Sequence, residues 1–118
     1  MKKIIFYKTG SGKSPVQEFI NSLSDKEAKK VAWILRLVRD LESIPTTYFK
    51  KLINTDDIWE VRVQFGRNIF RFLGFYYEMQ LIILTNGFQK KSQKTSKMEI
   101  ELAERRKRNY LKRRKRNG

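Results

Sequence analysis

The chain predicts an α+β domain, a small antiparallel β-sheet with two N-terminal helices packed on one face and a C-terminal helix. Three observations carry that expectation. The stretch from Ile58 to Lys94 opens with three apolar, β-branched and aromatic runs, broken at Gly66-Arg67 and near Glu78, as in a three-stranded meander. Ahead of it stand two stretches with apolar residues at helical spacing, each opened by a capping serine. Behind it a third serine box opens a basic helix.

In order, Lys3 to Tyr7 reads as a first strand, broken by Gly10-Ser11-Gly12. Ser14-Pro15-Val16-Gln17 combines an N-cap serine, proline at the first helical position and a capping-box glutamine. Val16, Phe19, Ile20 and Leu23 then form one buried stripe. A second box, Ser24 with Glu27, opens a longer helix whose stripe is Val31, Ile34, Leu35, Val38 and Leu41, stopped by Pro45. Phe49 to Leu52 reads as a short extended segment. In the last helix Ser96 and Glu99 form the box, Met98, Leu102 and Ala103 form a weak stripe, and the end frays beyond Tyr110.

The period of two along the meander separates two faces. Trp59, Val61, Val63 and Phe65 share one face with Phe70, Phe72 and Tyr76, and they meet Phe19, Ile20, Leu35 and Val38 in the core. Glu60, Arg62 and Arg71 fall on the other face. Two arginines in strands this apolar are out of pattern. Gly87-Phe88 is followed by Lys90, Lys91 and Lys94, a lysine cluster at the edge of that face.

Composition excludes several classes. With no cysteine and no histidine among 118 residues, disulfides, thiolate metal sites and a Ser-His-Asp hydrolase are ruled out. No cofactor and no metal is expected. No apolar run approaches the roughly 20 residues of a membrane span, and the basic start is too short a signal peptide, so a cytoplasmic protein is expected. The net charge is +15, with nine of 27 basic residues between Arg105 and Arg116; without them 18 basic residues still face 12 acidic ones. A polyanion or an acidic protein is the partner such a balance suits.

The succession P-V-x-E-F-I (15–20, with Gln17 at the open position), K-K-L (50–52), W-E-V-R (59–62), F-R-F (70–72) and G-F-x-K-K-x-x-K-T (87–95) resembles the phage-derived HigB-like toxins of the RelE/ParE superfamily. The resemblance runs from Tyr7 to Tyr110. It implies a RelE-like fold, one toxin domain over residues 1–110 with a basic tail at 111–118, cleavage of mRNA on the ribosome, and neutralisation by a HigA-like helix-turn-helix antitoxin in a hetero-oligomer. Two positions depart from the family pattern: Asn86 stands where histidine is frequent, and Ser96 where proline is frequent.

Cleavage by the ribose 2′-hydroxyl needs a base, cations for the charged phosphorane and an acid for the 5′-oxygen. Arg62 and Arg71, paired across a hairpin, offer planar forks for phosphate oxygens. Mutual repulsion among Lys90, Lys91 and Lys94 lowers a lysine pKa and suits one of them to proton transfer. Glu60 is a candidate base on the same face. Lys50, Lys51 and Arg67 are candidate RNA contacts, and Phe88 and Tyr76 candidate stacking platforms. Plainer roles stand beside these. The arginines can pair with Glu60 and Glu78 on a solvated face, the lysines can be a solvated loop, and Phe88 can be packing. Two other functions share the same features: a ParE-like inhibitor of DNA gyrase that cuts nothing, and a non-toxic basic RNA-binding protein.

Overall fold

The meander is the centre of a larger sheet. The computed structural model describes residues 2–90 and 95–117. Its elements are β1 (Lys3–Phe6), α1 (Pro15–Asn21), α2 (Asp25–Asp40), β2 (Phe49–Lys51), β3 (Trp59–Phe65), β4 (Asn68–Tyr77), β5 (Leu81–Gln89) and α3 (Lys97–Asn117). The strands form a five-stranded sheet of order β1-β5-β4-β3-β2. Among the described residues no helix is long and apolar enough to cross a membrane.

The sheet is mixed rather than antiparallel throughout, because β1 runs parallel to β5. Ile4 and Phe6 pack into one core and Ile5 and Tyr7 into another, so β1 needs cover on both faces. The edge beside β5, between the paired helices and α3, supplies it. A four-residue strand joined to the sheet through two helices carries no turn to reveal its direction.

The hairpin from β3 to β4 pairs Phe65 with Asn68 around Gly66-Arg67. Gly66 has φ of 60°, which a two-residue hairpin turn of this kind needs at its first central position. The next turn places Glu78 at φ 61°. One face of the sheet carries Val61, Val63, Phe70, Phe72, Ile82 and Leu84. Against them α1 and α2 lay Val16, Val31, Ile34 and Val38, with Phe19, Ile20, Leu23 and Leu35 partly buried alongside. Burying each such side chain contributes about 1.5–3 kcal/mol. Leu41, expected in that stripe, lies past the helix end and is exposed. Ser24 and Glu27 form a complete capping box. At Ser14 only half a box forms, because the Gln17 side chain donates to Asn21 instead.

α3 covers the opposite face. Its contacts come from Ile100, Ala103 and Tyr110; of the expected stripe Ala103 is buried, while Met98 is 79% exposed. Ser96 Oγ accepts from the Met98 amide at 3.2 Å, while Glu99 turns toward β5 instead of closing a box. The helix also continues past Tyr110 to Asn117. Its end is tied down: Arg113 Nη2 donates to the Lys8 carbonyl at 2.7 Å, and the Arg113 and Arg114 guanidinium groups lie 5.0 and 5.4 Å from the Tyr7 and Tyr77 rings.

A register shift joins the two cores. Leu73 pairs with Asn86 but Gly74 pairs with Leu84, leaving Thr85 as the extra residue of a bulge. Before it Ile82 and Leu84 face α1 and α2; after it Asn86 and Phe88 face α3. At Gly74 an added Cβ would stand 2.3 Å from the Ile83 carbonyl oxygen. Gly74→Ala is therefore expected to lower stability by about 1–3 kcal/mol in urea unfolding. Gly10→Ala, where a Cβ meets nothing within 4 Å, should leave the midpoint unchanged.

Candidate functional site

The ladder between β3 and β4 sets Arg62 opposite Arg71 and Glu60 opposite Leu73. Alternation sends Glu60, Arg62 and Arg71 to the side that α3 covers. There the Glu60 and Arg71 side chains are 0% and 4% exposed, and Arg71 Nη1 donates to Glu60 Oε1 at 2.7 Å. The Thr95 hydroxyl donates to the other carboxylate oxygen. Three segments thus meet on one buried carboxylate: β3, β4 and the entry to α3. Arg71 is a neutralised, enclosed cation rather than an open phosphate fork, while Arg62 beside it is half-buried.

Lys90 follows β5 directly, and its amide donates to the Ile69 carbonyl at 3.1 Å. Its ammonium is held below the usual lysine range, first by desolvation and then by the Arg71 charge, with Glu60 and Glu99 pulling the other way. A downward shift, as expected for this cluster, is present at Lys90, and among the described residues burial leads its causes. Lys91 and Lys94 lie outside the described residues.

α3 closes the site through Asn86. Its Nδ2 donates to the Glu99 carbonyl oxygen at 3.2 Å and to Glu99 Oε1 at 2.9 Å. The Thr85 hydroxyl lies 2.5 Å from Asn86 Oδ1 and 3.2 Å from the Leu73 carbonyl oxygen. Arg106 Nη1 donates to the Thr85 carbonyl at 2.7 Å, and burial pushes its pKa below the usual arginine value. Phe88, the ladder partner of Arg71, is packed against the cluster of Ile58, Leu73 and Ala103.

The other nominated residues scatter. Lys50 is exposed and pairs with Glu60 in the ladder, at the rim of the same face. Lys51 points into an ion pair with Asp57 at 2.7 Å. Arg67 is exposed at the hairpin tip. Tyr76 belongs to the opposite face, boxed by Trp59 and Phe49 at ring distances of 5.3 and 6.1 Å, and burial raises the pKa of its hydroxyl. Thr95, Thr85, Glu99 and Arg106 are the participants that residue patterns did not single out. Polar residues inside the otherwise apolar third run, Thr85 and Asn86, were the available signal.

Fold and site together define a small basic α+β domain with a five-stranded mixed sheet, whose α3-covered face holds a buried acid–arginine pair beside a desolvated lysine. The family model described as phage derived protein Gp49-like (DUF891) matches residues 18–108, from within α1 to within α3, and the chain belongs to that family. This is a family of RelE/ParE-like toxins associated with toxin–antitoxin modules. No curated protein matches the chain.

Two outcomes follow for the ionic cluster. Arg71→Ala strands a buried carboxylate and should cost about 3–5 kcal/mol in denaturant unfolding, whereas Glu60→Leu with Arg71→Met together should recover most of that loss. In a ¹³C-NMR titration the Lys90 ε-carbon should turn over at lower pH than the exposed lysines. A midpoint level with theirs would remove the desolvated site.

Proposed function

We propose that this chain is the toxin of a type II toxin–antitoxin module. On this reading it is a RelE-like, HigB-like endoribonuclease that cuts mRNA on the translating ribosome without a metal and is neutralised by a HigA-like helix-turn-helix antitoxin. The observation that carries the reading is the half-buried Lys90, its pKa lowered, beside the Glu60–Arg71 pair. Membership of a toxin family supplies the context.

The chemistry is a transesterification. The ribose 2′-oxygen attacks phosphorus and loses its proton; the P–O5′ bond breaks and the 5′-oxygen takes a proton, leaving a cyclic phosphate and a 5′-hydroxyl. Lys90 is the candidate acid, because a lowered pKa makes an ammonium a better proton donor to the leaving oxygen. Arg62, less enclosed than Arg71, is the candidate for holding the charged phosphorane, with Lys91 and Lys94 as further cations. Arg71 supports the site by adding positive potential at Lys90 and fixing Glu60. Glu60 is the candidate base only if Thr95 releases it, since both its oxygens are engaged. Lys50, Lys51 and Arg67 are candidate contacts to the RNA backbone, and Phe88 a candidate neighbour of a base.

Primer extension across a reporter mRNA in a purified translation system tests this directly. Cuts are expected only while ribosomes translate, and Lys90→Met or Arg62→Ala should reduce them roughly 10²-fold. Activity should fall as pH rises through the Lys90 pKa, below the ordinary lysine range, because the acid must hold its proton. Lys90→Arg should shift that limb upward. Intact message with arrested growth transfers the reading to ParE-like inhibition of DNA gyrase. Intact message with normal growth leaves a basic RNA-binding protein.

A further inference from the structure

A groove of about 670 Å³ runs along the outer edge of β1, between the start of α1 and the C-terminal half of α3. Its walls include Ile5, Phe6, Tyr7, Lys8, Tyr110 and Arg113, and Arg114 completes the rim. All of these residues lie outside the span 18–108 that the family match covers. The groove also lies at the far end of α3 from Thr95 and Lys90.

Three features fix what fits there. First, β1 is an edge strand with an open side. The Lys3 and Tyr7 amides donate to the Gln80 and Leu84 carbonyls at 2.8 Å each, so the odd-numbered residues face β5. Alternation then turns the N–H and C=O groups of Ile4 and Phe6 outward, at the spacing of a vacant ladder. Second, every ionisable chain at the rim apart from the tyrosines is a cation. Lys8, Arg113 and Arg114 make no ion pair among the described residues, and the Arg113 Nε–H is buried without a hydrogen-bond partner there. Third, the ring of Tyr7 is already engaged by cations. Arg106 and Arg113 lie over the Tyr7 ring, and Tyr110 packs edge-on against Phe75 and Tyr77. A peptide backbone finds a vacant ladder beside this rim, at the outward groups of Ile4 and Phe6.

We propose that this groove is a second binding site, for an extended acidic segment of a partner protein that adds a strand to the open edge of β1 and sets carboxylates against Lys8, Arg113 and Arg114. Main-chain hydrogen bonds to Ile4 and Phe6 supply the register, and the cationic rim selects the charge. The inference does not depend on RNA cleavage.

The test uses the full chain and a fluorescent peptide of roughly eight residues, a common strand length, alternating glutamate with valine. Binding is read by anisotropy, and hydrogen exchange reads the Ile4 and Phe6 amides. The peptide should bind, slow exchange at those two amides, and lose roughly tenfold or more in affinity with Arg113→Gln plus Arg114→Gln. The same peptide with lysine for glutamate should not bind. Exchange is measured on the unsubstituted protein, so the result stands even where the variant folds poorly. Binding without amide protection, displacement by a uridine oligonucleotide of equal charge, or no binding at about 1 mM would each overturn the assignment.

Discussion

The structure hangs on one enclosed ion pair. Bringing Glu60 and Arg71 out of water costs several kcal/mol per ion, and their attraction repays it only with close geometry and further hydrogen bonds. Arg71 Nη1 at 2.7 Å supplies the geometry, and the Thr95 hydroxyl supplies a further bond. The pair therefore constrains more than it stabilises. A one-residue slip of β4 on β3 would turn Arg71 toward Phe19, Phe72 and the apolar core, where no carboxylate waits. Register, pairing order and the approach of α3 all follow from keeping this carboxylate satisfied.

The bulge at Thr85 is the second consequence. Without it, alternation along β5 would carry Asn86 to the face packed by α1 and α2, and an amide would enter an apolar core. With it, Asn86 reaches Glu99, and Arg106 takes the Thr85 carbonyl. Gly74 permits the close passage of β4 over Ile83 that the shift requires. Strand, bulge and helix thus form one polar seam between Glu60 and Arg106, which separates the apolar contacts of Ile100 and Ala103 from those of Tyr110.

Much of this was legible in the residues because the signals were local. The meander, both N-terminal stripes and the Gly66 turn each depend on neighbours within a few positions, and apart from Leu41 they stand where the pattern puts them. The direction of β1 depends on β5, which follows two helices and three strands later, and no local rule reaches that far. Arg62 and Arg71 were rightly assigned to one face. The pattern leaves that face open and cationic, because the apolar residues with which α3 covers it, Ile100, Ala103 and Tyr110, are spread through a run of charges and only Ala103 falls in the expected stripe. The seating of the last turns of α3 was illegible for a related reason. Arginines that read as a frayed tail are the groups that bind it to Tyr7, Tyr77 and the Lys8 carbonyl.

α3 then serves as a rigid strut between two chemically different ends. At its start Glu99 stands among Asn86, the half-buried Lys90 and the Glu60–Arg71 pair, so acidic and basic groups lie side by side and the pair itself is withdrawn from water. At its end the cations stand unbalanced over aromatic rings, with the last turn basic throughout, as the negative pole of a helix dipole favours. From Lys97 to Arg113 the rise of an α-helix gives roughly 24 Å, well beyond the screening length of about 8–10 Å at ordinary salt. Charge placed at one end is barely felt at the other. Any coupling between the two ends must therefore travel mechanically, through the seating of α3 on the sheet, and the Thr95 hydroxyl on Glu60 is where a shift of that helix would first loosen the buried pair.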